Sequence, residues 1–221
     1  MQLRKRNKLV WGWGINDADY NVIVTDDNGK QTMCPIYASW KDVLRRTKSE
    51  EFKLKFPTYK QATVTDNWKY FSSFKLSMKT FIWEGMDLDK DILSPGNKHY
   101  CEDSCVFVPH EINTLLRLVT TNTTTPVGVA YDKRRYKGKN LINPFFARVN
   151  CFGGGYKHLG MTSDPFVAHK AWQWEKSIQI EKAVSWYALQ PCFRSDVAEA
   201  LTSRVWNLRL YHSTNKETKY L

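Results

Sequence analysis

Asp89 and Asp91 stand two residues apart in the run Leu-Asp-Lys-Asp-Ile-Leu that begins at Leu88. On an extended strand that spacing puts both carboxylates on one face and turns Lys90 to the other. His110 and Asn113, just after Pro109, are three apart and on a helix share a face. A strand and a following helix that both offer ligands can hold one divalent ion between them. Such an ion stabilises charge on a scissile phosphate and its leaving oxygen while a neighbouring base activates water. Asp89 and Asn113 are the candidate metal ligands, with Asp91 assisting. Lys90, His99 and His110 are the candidates to act on the water or the phosphate. Hard oxygen donors suit Mg2+ or Mn2+ better than zinc. The competing reading is a scaffold in which the carboxylates are solvated and Asn113 sits on a helix surface.

A second group of residues is suited to binding rather than to bond breaking. Between Pro126 and Trp186, ten Lys and Arg face four Asp and Glu, an excess of six, concentrated at Lys133, Arg134, Arg135, Lys137, Lys139, Arg148 and Lys157. Arg148 and Tyr136 are expected to approach bases. Lys133, Arg134, Arg135, Lys139 and Lys157 are expected mainly to neutralise phosphates. For any one of these the alternative is a solvated charge.

The elements that must position these residues follow from pattern. Residues 88 to 118 read as strand, polar loop (Ser94 to Asp103), strand (Cys105 to Val108) and helix, with Pro109 in the first helical turn and Ile112, Leu115, Leu116 and Val119 as its apolar side. Upstream, helices are predicted over Ala38 to Lys48, with Ser39 as N-cap, and over Asn67 to Phe81, where Trp68, Phe71, Phe74, Met78 and Phe81 fall on one side. Thr120 to Thr125 is the predicted linker. Beyond it come strands at Val127 to Tyr131, Phe145 to Cys151 and Tyr156 to Met161, with a Gly153-Gly154-Gly155 turn, then a helix from Asp164-Pro165 to about Tyr187. A last helix around Asp196 to Leu210 has two modules it can pack on.

Composition bounds the partners. The 221 residues carry 33 Lys and Arg against 22 Asp and Glu, a formal charge of +11, which favours polyanions such as nucleic acid and leaves acidic substrates or an anionic surface as alternatives. Aromatics at 14%, nine of them Trp, mark a chain that folds rather than a disordered basic tail. Residues 9 to 22 lack the apolar run of a signal peptide, and no stretch is long enough for a membrane span, so a cytoplasmic protein is expected. Cys34, Cys101, Cys105, Cys151 and Cys192 are odd in number and form no CxxC pair, which argues against a disulfide framework. Cys34, Cys101 and Cys105 with His99 or His110 lack standard zinc spacing, and free thiols are expected.

With these residues in view, the segments Leu-Asp-Lys-Asp-Ile-Leu, Gly96-Asn97-Lys98, Cys105-Val-Phe-Val-Pro and Ile112-Asn113 resemble the HNH motif of phage-encoded homing endonucleases. The resemblance implies a ββα-metal unit over about residues 86–119, with Asp89 and Asn113 at the metal positions. Lys90 falls where that family has its catalytic His. A free ammonium titrates near 10.4, and making it a base near neutrality costs about 4 kcal/mol. Asn97 in the loop and Cys105, at the family's middle Asn, depart from its usual bracing. Residues 30 to 81 also resemble the region preceding the hairpin in those proteins. Val127-Gly128-Val129, Phe146-Ala147-Arg148-Val149, His158-Leu159-Gly160 and the helix entry at Asp164 resemble the AP2 domain, whose sheet lies in the DNA major groove.

The expected fold is therefore α+β: residues 1–119 with the HNH-like hairpin and helix, residues 126–187 as a three-stranded antiparallel sheet on one helix, and residues 188–221 as a helical extension. The expected function is metal-dependent cleavage of double-stranded DNA in a bacterial host's cytoplasm. A catalytically inactive DNA-binding regulator or anti-defence factor, and a basic adaptor for an acidic protein surface, are the alternatives.

Overall fold

The computed structural model describes residues 9–79, 82–118, 124–132 and 142–221. It is a mixed α+β protein that divides into two compact units, Met1–Val108 and Pro109–Leu221. The division falls ahead of the expected linker, of which residues 120–123 lie outside the described residues.

In the first unit, β1 (Ile23–Thr25) and β2 (Gln31–Met33) form an antiparallel hairpin in which Ile23 faces Met33. α1 (Pro35–Lys48) follows. It starts three residues before the predicted Ala38 because Pro35 presets the first turn and needs no N–H partner there. The Ser39 hydroxyl, expected as a cap, instead donates to the Pro35 carbonyl. α2 (Glu50–Lys55) is capped by Ser49, whose side chain accepts from the Phe52 amide. A 3-10 turn at Pro57–Tyr59, β3 (Thr63–Val64) and a second 3-10 turn at Asp66–Lys69 lead into α3 (Phe71–Met78).

The apolar spacing predicts that α3 starts at Asn67, but the main chain opens at Tyr70. There Ile15 N donates to Lys69 O at 2.8 Å, and Phe71 N donates to Ile15 O at 3.0 Å. These two bonds to a distant segment outcompete local helix formation, a tertiary override of propensity. Phe81 lies outside the described residues. Of the residues read as one helix side, Trp68, Phe71, Phe74 and Met78 are all buried, in a core with Trp40, Leu44, Tyr100 and Phe107. Trp40 donates from Nε1 to Trp68 O at 2.8 Å, so the indole is buried with its polar atom satisfied. Each such side chain contributes roughly 1.5–3 kcal/mol by leaving water.

β4 (Met86–Asp89) pairs with β6 (Val106–Pro109), and the short β5 (His99–Tyr100) between them pairs in parallel with β3. Thus the polar loop contains a strand that its composition does not suggest.

The second unit opens with α4 (His110–Leu116). Pro109 is the residue before its first turn rather than within it, since it ends β6. β7 (Val129–Tyr131), β8 (Phe145–Asn150) and β9 (Tyr156–Thr162) form an antiparallel sheet in that order. α5 (Pro165–Tyr187) packs across all three strands, and Asp164 caps it by accepting from Phe166 N at 2.7 Å. α6 (Ser195–Ser213) packs on α5. No helix among the described residues is long and apolar enough to cross a membrane.

Gly128 has φ of +77°, and a Cβ there would stand 2.2 Å from Trp172 Cδ1. The sheet therefore closes onto α5 only with glycine at this point.

Candidate functional site

The hairpin loop between β4 and β5 is held by its own side chains. β4 ends at Asp89 because the Asp89 carboxylate takes over the following amides. Oδ1 accepts from Asp91 N at 2.7 Å and from Ile92 N at 2.8 Å. Lys90 and Asp91 consequently lie in the loop, not on alternate faces of a strand as predicted. Lys90 is the buried member, 6% exposed. Its Nζ donates to Asp91 Oδ2 at 2.6 Å and to Asn97 O at 2.7 Å, and sits 5.7 Å from the centre of the Tyr100 ring. Asn97 closes the loop by donating to Lys90 O and His99 O and accepting from His99 N.

Burial raises the Asp89 carboxyl above the ordinary carboxylate range, against the lowering effect of the two amides. His99, on β5, is exposed, and its Nδ1 is 2.9 Å from Thr63 Oγ1. The structure thus gathers Asp89, Lys90 and Asp91 in one loop, with His99 joined to it through Asn97. His110 and Asn113 lie on α4 in the second unit.

Asp89 and Asp91 are both engaged in holding the loop. Among the described residues no three His, Cys, Asp or Glu side chains gather where they could hold a metal ion. The five cysteines are free thiols, and burial pushes Cys105 up to about 12.

The outer face of the β7–β8–β9 sheet has a different character. On β8, Ala147 and Val149 are buried toward α5, so alternation turns Phe146, Arg148 and Asn150 outward. Arg148 pairs with His158 and Asn150 with Tyr156, which brings His158 and Tyr156 to the same face. The Arg148 guanidinium lies 4.7 Å from the Tyr156 ring centre, and His158 stacks on Phe146 at 5.3 Å and 16°. A bulge falls between Phe146 and Arg148 in this pairing, and Gly160 supplies its φ of +91°. Gly160 N donates to His158 Nδ1 at 3.1 Å, so a neutral ring carries its proton on Nε2.

Lys157 does not join this face. It pairs with Val149, whose side chain points to α5, and its Nζ lies 2.7 Å from the Glu175 carboxylate. The register turns Lys157 toward α5, where its half-exposed side chain meets the buried Glu175. Hydrogen bonding from Lys157 is also the main reason the Glu175 carboxyl is lowered. Glu175 continues through Gln179 to Phe152 N, tying the end of β8 to α5.

Lys133, Arg134, Arg135, Tyr136, Lys137 and Lys139 lie outside the described residues. Sequence reasoning singles out Arg148 and passes over Phe146, Asn150, Tyr156 and His158. Counting by twos from Arg148 finds the β8 members, whereas the β9 members need the register across the glycine turn.

Three strands spaced by about 4.8 Å span roughly 10 Å, which fits a major groove about 12 Å wide. Exposed rings and a guanidinium on such a face can stack on bases, hydrogen-bond to their edges or meet phosphate. Comparison with protein-family models, curated proteins and solved structures gives no match.

Proposed function

We propose that the chain binds double-stranded DNA through the outer face of the β7–β8–β9 sheet, as its resemblance to AP2 domains implies. The observation that carries this reading is the outward set of Arg148 on Tyr156 and His158 on Phe146. It sits in a segment with an excess of six positive charges. Arg148 is the base-reading or phosphate-binding cation of the face, and Lys133, Arg134, Arg135, Tyr136 and Lys139 are the further residues proposed from the sequence to contact DNA.

A second reading adds HNH-type cleavage with Mg2+ or Mn2+, with Asp89 and Asn113 as ligands. The strand, loop, strand, helix order of residues 86–116 and the position of Asp89 at a strand end support it. Against it stands Lys90, which replaces the expected base and holds the loop together through Asp91 and Asn97. A DNA-binding regulator with a scaffolding hairpin is the reading these bonds favour.

The test is binding of duplex DNA across a salt series, together with supercoiled-plasmid cleavage in Mg2+ and Mn2+, for wild type, Asp89→Ala and Asn113→Ala. Steep salt dependence without cleavage supports the binder. Cleavage lost in both variants, with binding retained, supports the nuclease. Weak binding with little salt dependence overturns both in favour of a protein-binding adaptor.

A further inference from the structure

Beside the outer sheet face lies a cavity of about 70 Å³ whose lining includes Arg117, Gly128, Arg148, Asn150, Trp172 and Lys176. It forms where β7 stops short. β7 pairs with β8 at Phe145 to Ala147, and Arg148 N still reaches Gly128 O at 3.3 Å. By the two-residue alternation of an antiparallel strand, the N–H of Asn150 points to the same edge, beyond the end of β7. Trp172 and Lys176 close the cavity from α5, and Arg117 comes from the chain that leaves α4.

Among the described residues the lining holds three cations, an asparagine and no Asp or Glu. Lys176 is 2% exposed, and its Nζ donates to the Leu115 carbonyl, which leaves an ammonium with further N–H groups to satisfy. Burial alone lowers it to about 8, with no carboxylate contributing in the other direction. A buried charge is tolerated where it is paired, so this one calls for an anion from outside the chain. A volume of about 70 Å³ can take a group as small as a tetrahedral oxyanion.

We propose that this cavity is a phosphate-binding pocket in which Arg117, Lys176 and the open edge of β8 hold one phosphate group, with Arg148 shared between pocket and sheet face. In the DNA-binding reading, on which this assignment of the source rests, the group is a backbone phosphodiester that fixes the register of the duplex on the sheet. A free phosphate would be recognised by the same donors.

The experiment titrates the full chain with inorganic phosphate at constant ionic strength, following thermal stability and the Trp172 environment by fluorescence. In parallel, DNA binding is measured across a salt series. Wild type is compared with Lys176→Met, which keeps the buried stem, and Arg117→Gln, at an exposed position. The expected result is saturable stabilisation by phosphate in wild type, reduced at least tenfold in apparent affinity in both variants. The logarithmic salt slope of DNA binding should fall by about 0.9 in Arg117→Gln. Phosphate binding without DNA binding supports the pocket and overturns the DNA reading. DNA binding with an unchanged slope in Arg117→Gln, and no saturable phosphate effect in wild type, overturns the pocket and leaves the sheet reading standing.

Discussion

Two cations on one sheet, Arg148 and Lys157, should behave in opposite ways when each is replaced by alanine. Arg148 faces outward on the Tyr156 ring, and Lys157 is bonded to Glu175 on the α5 side. If Arg148 makes a bidentate bond to a base, Arg148→Ala costs roughly 1–3 kcal/mol at a specific site, about 5- to 150-fold in affinity. On mixed-sequence duplex, where only phosphate pairing counts, each phosphate left without its cation lowers the logarithmic salt slope by about 0.9. Lys157→Ala should leave both quantities within twofold, because the pair it breaks is internal. Its cost appears in folding. The pair joins a Lys157 side chain 55% exposed to a Glu175 side chain 11% exposed, and Gln179 still donates to that carboxylate, so losing the Lys157 bond costs about 1 kcal/mol or less. Anisotropy titrations with labelled duplex between about 50 and 200 mM salt, beside urea unfolding, separate the two outcomes. The reasoning fails if Lys157→Ala weakens DNA binding as much as Arg148→Ala, or if Arg148→Ala changes neither affinity nor slope.

Three further outcomes follow from the packing and the titrating groups. Gly128→Ala should lose about 2–5 kcal/mol, from a left-handed φ plus a Cβ driven into Trp172, seen as a lower urea midpoint at constant m; a loss below about 1 kcal/mol contradicts the close approach. Asp89→Asn keeps an oxygen for the Asp91 and Ile92 amides while removing a carboxylate whose pKa is raised by burial. A raised carboxyl favours the fold below its unfolded pKa, and that contribution is lost as pH rises through the folded value, so at pH 7 the variant should be as stable as wild type or slightly more. A marked loss on calorimetry would mean the charge itself holds the loop. His169 is buried between Val127 O at 2.8 Å and Thr218 N at 3.0 Å, and burial lowers its pKa below 6.5. A lowered histidine contributes stability above the unfolded pKa that disappears as pH falls through the folded one, so hydrogen exchange at Thr218, relative to its intrinsic rate, should accelerate as pH falls through the folded value in wild type. The same acceleration in His169→Gln would contradict this assignment.

The elements that are legible in the sequence are those whose ends are marked by backbone chemistry. Asp164 and Pro165 announce α5 as a cap and a first-turn proline, and the helix runs to Tyr187 as its pattern indicates. The three-stranded sheet is legible from its β-branched and aromatic runs and the glycine turn. What escapes is whatever depends on a partner distant in sequence. The start of α3 is set by Ile15, and the end of β4 by a side chain that caps its own loop. The side on which Lys157 emerges depends on how many residues the Gly153 to Gly155 turn consumes and on the bulge at Gly160. A one-residue slip in either reverses the face. α5 is covered by the sheet on one side and α6 on another, so a lysine on it need not be solvated, and Lys176 is buried.

The formal charge of +11 is therefore a poor guide to how many phosphates the protein can neutralise. Among the described residues, part of the positive charge is already answered within the chain. Arg45 and Arg46 pair with Asp42, Lys90 with Asp91, Lys157 with Glu175, Arg194 with Asp196 and Arg209 with Glu181. Arg148 and Lys176 are of another kind, since one lies on a tyrosine ring and the other on a main-chain carbonyl. An aromatic face or a carbonyl orients a cation without cancelling its charge, whereas a carboxylate does both. Counterion release counts only charges that can still be neutralised by phosphate. The salt slope of DNA binding should accordingly follow this second class of residue and not the overall excess. Removing an internally paired lysine such as Lys157 lowers net charge by one and should leave the slope unchanged, while removing Arg148 lowers net charge by the same amount and should not.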